Sequence, residues 1–373
     1  TGSRKEQKSF SDIGPVVVHV FDAFILLSVV FILFSKSFIP SFLDDFVNSR
    51  AVGNAATAFL SVRIWGLIPS FLNVNFRAFY VGTTHTRVLG FASAVMAFTN
   101  VVLDYGLIFG HWGLPAMGIE GAALASVIAE ATGTLFFFTY TFFFAHPSRY
   151  RLFSHFQFQP ALTRQTLSLS VWVMFQNFAS LGGWLFFFMI VEKTGEMPLA
   201  VSNIIRSIYM VLMIPVWGFS TSVNTLVSNS MGSHGPRYVM KIIRKVSLLS
   251  GGSLAVVGIV SAIIPRLLLR IYTPDPELLD AGVPVMYLIS GVMVPFAISI
   301  TLFQGVTGTG NTRISMVIEI LTIFIYLAVA YLLAIPWKQS LTVIWSVEYL
   351  YFALLGGMSY FYLKSGKWRH KVL

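Results

Sequence analysis

Five carboxylates lie inside stretches that are otherwise apolar: Asp22, Asp104, Glu130, Glu319 and Glu348. A charged group in hydrocarbon is costly, so each is a candidate for chemistry. Asp104 closes the segment NVVLD, four residues after Asn100, which puts amide and carboxylate on one helical face. An anionic oxygen beside an amide oxygen suits a hard cation such as sodium, or a proton on the carboxylate. Glu130 and Glu348 each read either as a carboxyl bonded within its own lobe or as part of a proton-linked relay. Asp22 stands three residues after His19, the spacing of a local pair, and Glu319 lies near the inner end of its span, within reach of interfacial water. Three basic residues share this apolar setting, Arg63, Arg77 and Arg206, and the plain reading of Arg206 is an ion pair with one of the acids.

Other chemistries find little footing. The stretch QGVTGTGNTR (304–313) has the glycines of a phosphate loop, but it follows an apolar helix and has no Gly-Lys-Ser/Thr ending. No metalloprotease or nucleophile-elbow motif occurs. The chain has no Cys, which excludes disulfides, thiolate metal sites and a Cys nucleophile. Six of the 7 His lie in or near loops without metal-ligand spacing. No enzyme, cofactor or nucleic-acid partner is expected.

These residues sit in a chain that is 56% hydrophobic and 11% charged, against about 25% charged in soluble domains. Spanning helices need about 20 mostly apolar residues, and ten stretches qualify: 14–38, 50–82, 87–110, 117–145, 163–191, 198–231, 238–264, 277–307, 312–335 and 340–363. With the N-terminal stretch taken as cytoplasmic, sixteen of the 25 Lys and Arg fall on inner loops or span ends and six on outer ones. That bias places both ends of the chain inside and accounts for the net charge of +10 without nucleic acid. No signal peptide is visible, and Thr1 reads as the interior of a loop.

A shift of 226 residues lays 65–107 over 291–333 without a gap. Pro69 falls on Pro295, Gly82 on Gly308, Arg87 on Arg313 and Tyr105 on Tyr331. The shift spans an even number of helices, so both copies keep one orientation, as in transporters built from two parallel repeats. The expected fold is an all-α polytopic bundle of two lobes with six-helix repeats, ten spans present of twelve. Residues 1–147 form a first lobe of four spans, short of its first two helices. Residues 148–162 form a cytoplasmic linker and 163–373 a second lobe of six spans. Asn100 and Asp104 match Tyr326 and Ala330 in the second lobe, so the pair is not a feature of both copies.

Four stretches, FRAFYVGTTHTR (76–87), 100–130, 203–232 and FQGVTGTGNTR (303–313), resemble the multidrug and toxic compound extrusion (MATE) family along essentially the whole chain. The resemblance implies a secondary active exporter of amphiphilic organic cations in exchange for protons or sodium ions. It implies a monomer in the bacterial cytoplasmic membrane. In one branch of that family the Asn and Asp of this helix help form a cation site with a small hydroxyl on the next helix, which Ser126 matches here. Glu130 is carried with this group. The Asp that the same branch uses on the first helix has no counterpart in this chain. Gln176 stands where some relatives carry an acid. It and Asn177, with Trp172, Met174, Phe175, Tyr209 and Met213, are the candidates for an adaptable cavity around flat cations. The alternatives are a lipid-linked oligosaccharide flippase, which would need Arg63, Arg77 and Arg206 facing inward, and an inactive membrane scaffold.

Overall fold

No water satisfies a backbone N–H or C=O in hydrocarbon, so apolar stretches of this length fold as helices. The computed structural model describes residues 13–46, 50–144, 160–233 and 235–369, and their regular structure is helical throughout. Residues 148–159 of the expected linker lie outside the described residues. The first unit, Thr1–Thr163, contains α1 (Ile13–Phe46), α2 (Arg50–Arg63), α3 (Leu67–Gly82), α4 (Arg87–Phe109) and α5 (Ile119–Phe144). A 3₁₀ turn, Ile64–Gly66, joins α2 to α3. The second unit, Arg164–Leu373, takes in most of α6 (Pro160–Glu192), then α7 (Glu196–Leu212), α8 (Ile214–Ser233), α9 (Val239–Ile263) and α10 (Pro265–Arg270). It ends with α11 (Pro276–Gly308), α12 (Thr312–Ala334), α13 (Leu341–Trp345) and α14 (Val347–Ser365).

Nine helical stretches among the described residues are long and apolar enough to cross a membrane, and the bent pair α7–α8 makes a tenth. The apolar run predicts one continuous span there, 198–231. The structure bends it by 48°, because Pro215 has no N–H for the carbonyl one turn back, and Val216 N reaches Met213 O at 2.9 Å instead. A second difference is α10, a short helix opened by Pro265 at its first position, in a stretch expected to be loop. The start of α11 follows from its sequence: the Asp275 side chain accepts from Glu277 N at 2.9 Å, and Pro276 needs no donor there.

The two copies keep the 226-residue register. Arg50 and Gly82 bound the α2–α3 stretch, and their partners Pro276 and Gly308 bound α11. The turns that follow share a backbone conformation, with Gly310 at φ 80° and its counterpart Thr84 at φ 63°. The glycine-rich stretch is therefore a helix–helix turn. Glycine takes the left-handed region freely, and a β-branched threonine there is strained.

Lipid provides no hydrophobic drive between helices, so small residues and close packing hold the units together. A Cβ on Gly121 would stand 2.5 Å from Leu107 O, bringing α5 against the α4 backbone. A Cβ on Gly258 would stand 2.5 Å from Ser290 O, bringing α9 against α11. Around these contacts, Phe76, Phe79, Tyr80 and Phe137 fill the first unit, and Ile289, Met293 and Phe296 of α11 lie within the second unit's core.

Two stability predictions follow from this packing. Gly258→Ala should lose about 1–3 kcal/mol through overpacking, seen as a lower thermal midpoint of the detergent-purified protein. Gly90→Ala, with open space at its Cβ, should leave that midpoint unchanged. Thr84→Gly should raise the midpoint by relieving a left-handed penalty of roughly 1–2 kcal/mol, less the freedom gained by the unfolded chain. Equal midpoints for all three variants and the parent would refute this account.

Candidate ion-coupling site

One face of α5 carries Ser126, Glu130 and Thr134 at successive turns, and between them they meet α4, α2 and α3. Asn100 Nδ2 of α4 donates to Ser126 Oγ at 3.5 Å. Arg63 Nη1 and Nη2 donate to the two oxygens of Glu130 at 3.0 and 2.6 Å, and Ser70 Oγ adds a third bond at 2.9 Å. Thr134 Oγ1 donates to Asn73 Oδ1 at 3.0 Å and lies 3.1 Å from Pro69 O. Asn73 Nδ2 in turn donates to Glu130 O at 2.9 Å. The 3₁₀ turn sets this up. Arg63 ends α2 beside it, and Gly66 leaves the space, since a Cβ there would overlap the guanidinium and stand 2.8 Å from Glu130 Oε2.

The residues proposed from the sequence therefore separate. Asn100 and Ser126 are in contact. Glu130, one turn along α5, is occupied by Arg63. Asp104 lies one turn along α4 from Asn100, half-buried, with no hydrogen-bond or ion-pair partner among the described residues. The Asn100 amide meets the Ser126 hydroxyl, and the Asp104 carboxylate one turn along α4 is unspent; oxygens of this kind suit a sodium ion or a proton. Arg63 was legible as a basic residue within a span, and Glu130 as an acid within another. The rule that buried charges come paired calls for a partner for each, but with five acids and three arginines in spans it does not choose this pair.

The candidates of the second unit also divide. Met174, Phe175 and Asn177 are exposed, and Met213 is half-buried against the core cluster. Trp172 lies beneath Arg313, 5.5 Å from its Cζ. Gln176 is buried, and its Oε1 has no hydrogen-bond partner. Tyr209 is enclosed, its ring against Trp184 and Phe296 and its hydroxyl donating to Glu348 Oε2 at 3.4 Å. Glu319 is covered rather than wetted, held by the hydroxyls of Ser180 and Tyr351. Asp22 is exposed and forms no pair with His19, whose Nδ1 lies 2.6 Å from Pro15 O. Arg206 lies over the Phe188 ring at 4.9 Å in place of an ion pair.

The MatE family model matches residues 2–106 and 173–332. The chain belongs to the MatE family. This MatE chain is 26% identical over 330 residues to the probable multidrug resistance protein NorM of Thermotoga maritima, with 86% of the chain and 69% of that protein covered. The protein of the same description in Synechocystis sp. is 26% identical over 306 residues, 79% of the chain and 65% of that protein. The chain thus spans about two thirds of the length of these relatives. Among solved structures, an outward-facing multidrug resistance MATE family transporter of the MOP superfamily superposes with a TM-score of 0.89 at 14% identity, over 98% of this chain and 81% of that one. A MOP superfamily transporter from Pyrococcus furiosus Vc1, whose binding pocket is described as reversed in polarity, gives 0.86 at 14% identity over 98% and 80%. That likeness carries the fold, an all-helical membrane bundle.

The Arg63–Glu130 pair is 31% and 16% exposed at its side chains. Losing one partner should cost roughly 1–3 kcal/mol, between the ranges for exposed and fully buried pairs. Arg63→Met and Glu130→Leu should each lower thermal stability more than half as much as the double variant does, because a single change strands a charge. Additive losses in that double-mutant cycle would show that the two side chains are uncoupled.

Proposed function

We propose that this MatE protein is a secondary active exporter of amphiphilic organic cations, driven by inward flow of protons or sodium ions. Asp104 binds the coupling ion, with Asn100 and Ser126 beside it. The observation that carries this reading is the state of the acids. Among the described residues, Glu130 is neutralised by Arg63, Glu319 and Glu348 are enclosed with hydroxyl donors, and Asp104 is the partly buried carboxylate with no side-chain partner. A carboxylate held in that condition attracts either a coupling ion or a cationic substrate, and the two compete. The coupling ion shifts the inward/outward balance only through a difference in its affinity for the two states. The names of the NorM relatives support multidrug cargo.

In this reading Trp172, Met174, Phe175, Gln176, Asn177 and Met213 contribute the surface that accepts flat cations as the transporter cycles, and Tyr209, enclosed and bonded to Glu348, does not. Glu130 sets the electrostatics of the site through Arg63. The protein works as a monomer in a bacterial cytoplasmic membrane, with both ends of this chain inside. A flippase of anionic lipid carriers would use Arg63, Arg77 and Arg206 together, and Arg63 is neutralised by Glu130.

In the full-length protein, Asp104→Asn should abolish ethidium efflux from cells while leaving the amount and thermal stability of the protein unchanged. Imposing pH and sodium gradients separately on proteoliposomes identifies the ion. Efflux retained at the parent rate by Asp104→Asn sinks the assignment.

A further inference from the structure

The 226-residue register places Tyr326 where the first unit has Asn100. Asn100 reaches across α4 to Ser126 on the next span. Tyr326 reaches across the equivalent seam of the second unit, from α12 to α14, and donates its hydroxyl to Glu348 Oε1 at 2.9 Å. The same register therefore makes a polar contact across the same helix pair in both units. In the second unit the acid has moved to the partner helix. Comparing matched positions alone hides it, because Ala330 stands where Asp104 would be.

Glu348 is 4% exposed, and Glu319, on α12, is 2% exposed. Hydroxyl groups bond each of them, and a ring contact joins the two sets into one cluster. Tyr209 of α7 and Tyr326 of α12 donate to Glu348, and Tyr351 of α14 and Ser180 of α6 donate to Glu319. The Tyr326 and Tyr351 rings meet edge-on at 5.4 Å. The neighbouring elements add apolar or neutral groups: Phe296 of α11 against Phe352, Phe187 of α6 against Tyr326, and Trp345 of α13 bonded to Ser202. Neither carboxyl has an ion pair among the described residues, and Arg206 is engaged over Phe188. The contrast with Glu130, answered by a guanidinium, is direct.

A carboxylate walled in by hydroxyls and rings, with no counter-charge, needs a neutralising ligand. Glu348 and the two tyrosines that bond it are almost wholly enclosed, whereas a hydrated metal ion brings a shell of water with it. A proton requires none. We infer that Glu348, backed by Glu319, is a proton-binding site in the second unit, on the helix pair that corresponds to the one where the first unit brings Asn100 to Ser126. Binding is a simple protonation, in which the carboxylate takes one proton and the acid returns it, while the tyrosines act as positioning residues. Tyr209 stands one turn before the bend between α7 and α8, so the charge on Glu348 acts on the bent span. Only the link from this proton to export rests on the antiport reading.

The test is infrared difference spectroscopy of the full-length protein in lipid vesicles, recorded between acidic and alkaline pH, reading the C=O stretch of protonated carboxyl groups. Glu348→Gln should remove a band that persists in Asp104→Asn. Tyr326→Phe, which keeps the ring and its packing, should shift that band by removing one hydrogen bond. An unchanged band in both Glu348→Gln and Tyr326→Phe overturns the site. The band is read without transport, so a parent protein that shows it yet moves no ethidium would defeat the export reading and leave this one standing.

Discussion

A charge placed in hydrocarbon has to be answered by something, and much of the polar architecture of this protein consists of the answers. Glu130 is met by a guanidinium and a serine. Glu319 and Glu348 are met by hydroxyls. Each answer comes from a different helix, so satisfying the charge also fixes how helices sit within a unit. Asp104 stands apart because its surroundings stop short of answering it, and an incomplete shell in a membrane span is a place for a mobile ligand.

The same scarcity of solvent governs the backbone. Helices approach closely where glycine lets them, as at Gly121 and Gly258, and polar side chains can then reach across the short gap. Gly66 shows how packing and chemistry depend on each other. Without a side chain there, the 3₁₀ turn brings Arg63 onto Glu130, and the ion pair ties α2 to α5. The helix break in this stretch has no counterpart in α11, its continuous partner in the second unit.

Duplication conserved geometry more strictly than residue type. Gly310 and Thr84 occupy one left-handed turn position, although only glycine does so without strain. Asn100 and Tyr326 occupy one cross-helix contact with different donors and different acceptors. The two units thus share a scaffold and diverge in the group that each places on it.

The sequence by itself determined the membrane class, the extents of most helices, the repeat and its register, because long apolar runs and their polar interruptions are local properties. It also separated Asp104 and Asn100 as an acid and amide on one face, which helical periodicity alone decides. It did not reveal the 48° bend at Met213, since the effect of Pro215 depends on what the neighbouring turns can re-bond. Only the tertiary structure decided the state of each acid. Arg63 and Glu130 are 67 residues apart, and Tyr209 and Glu348 are 139 apart. Whether a carboxyl finds a guanidinium, a hydroxyl or nothing depends on which helix faces are brought together, and hydropathy carries no record of that pairing.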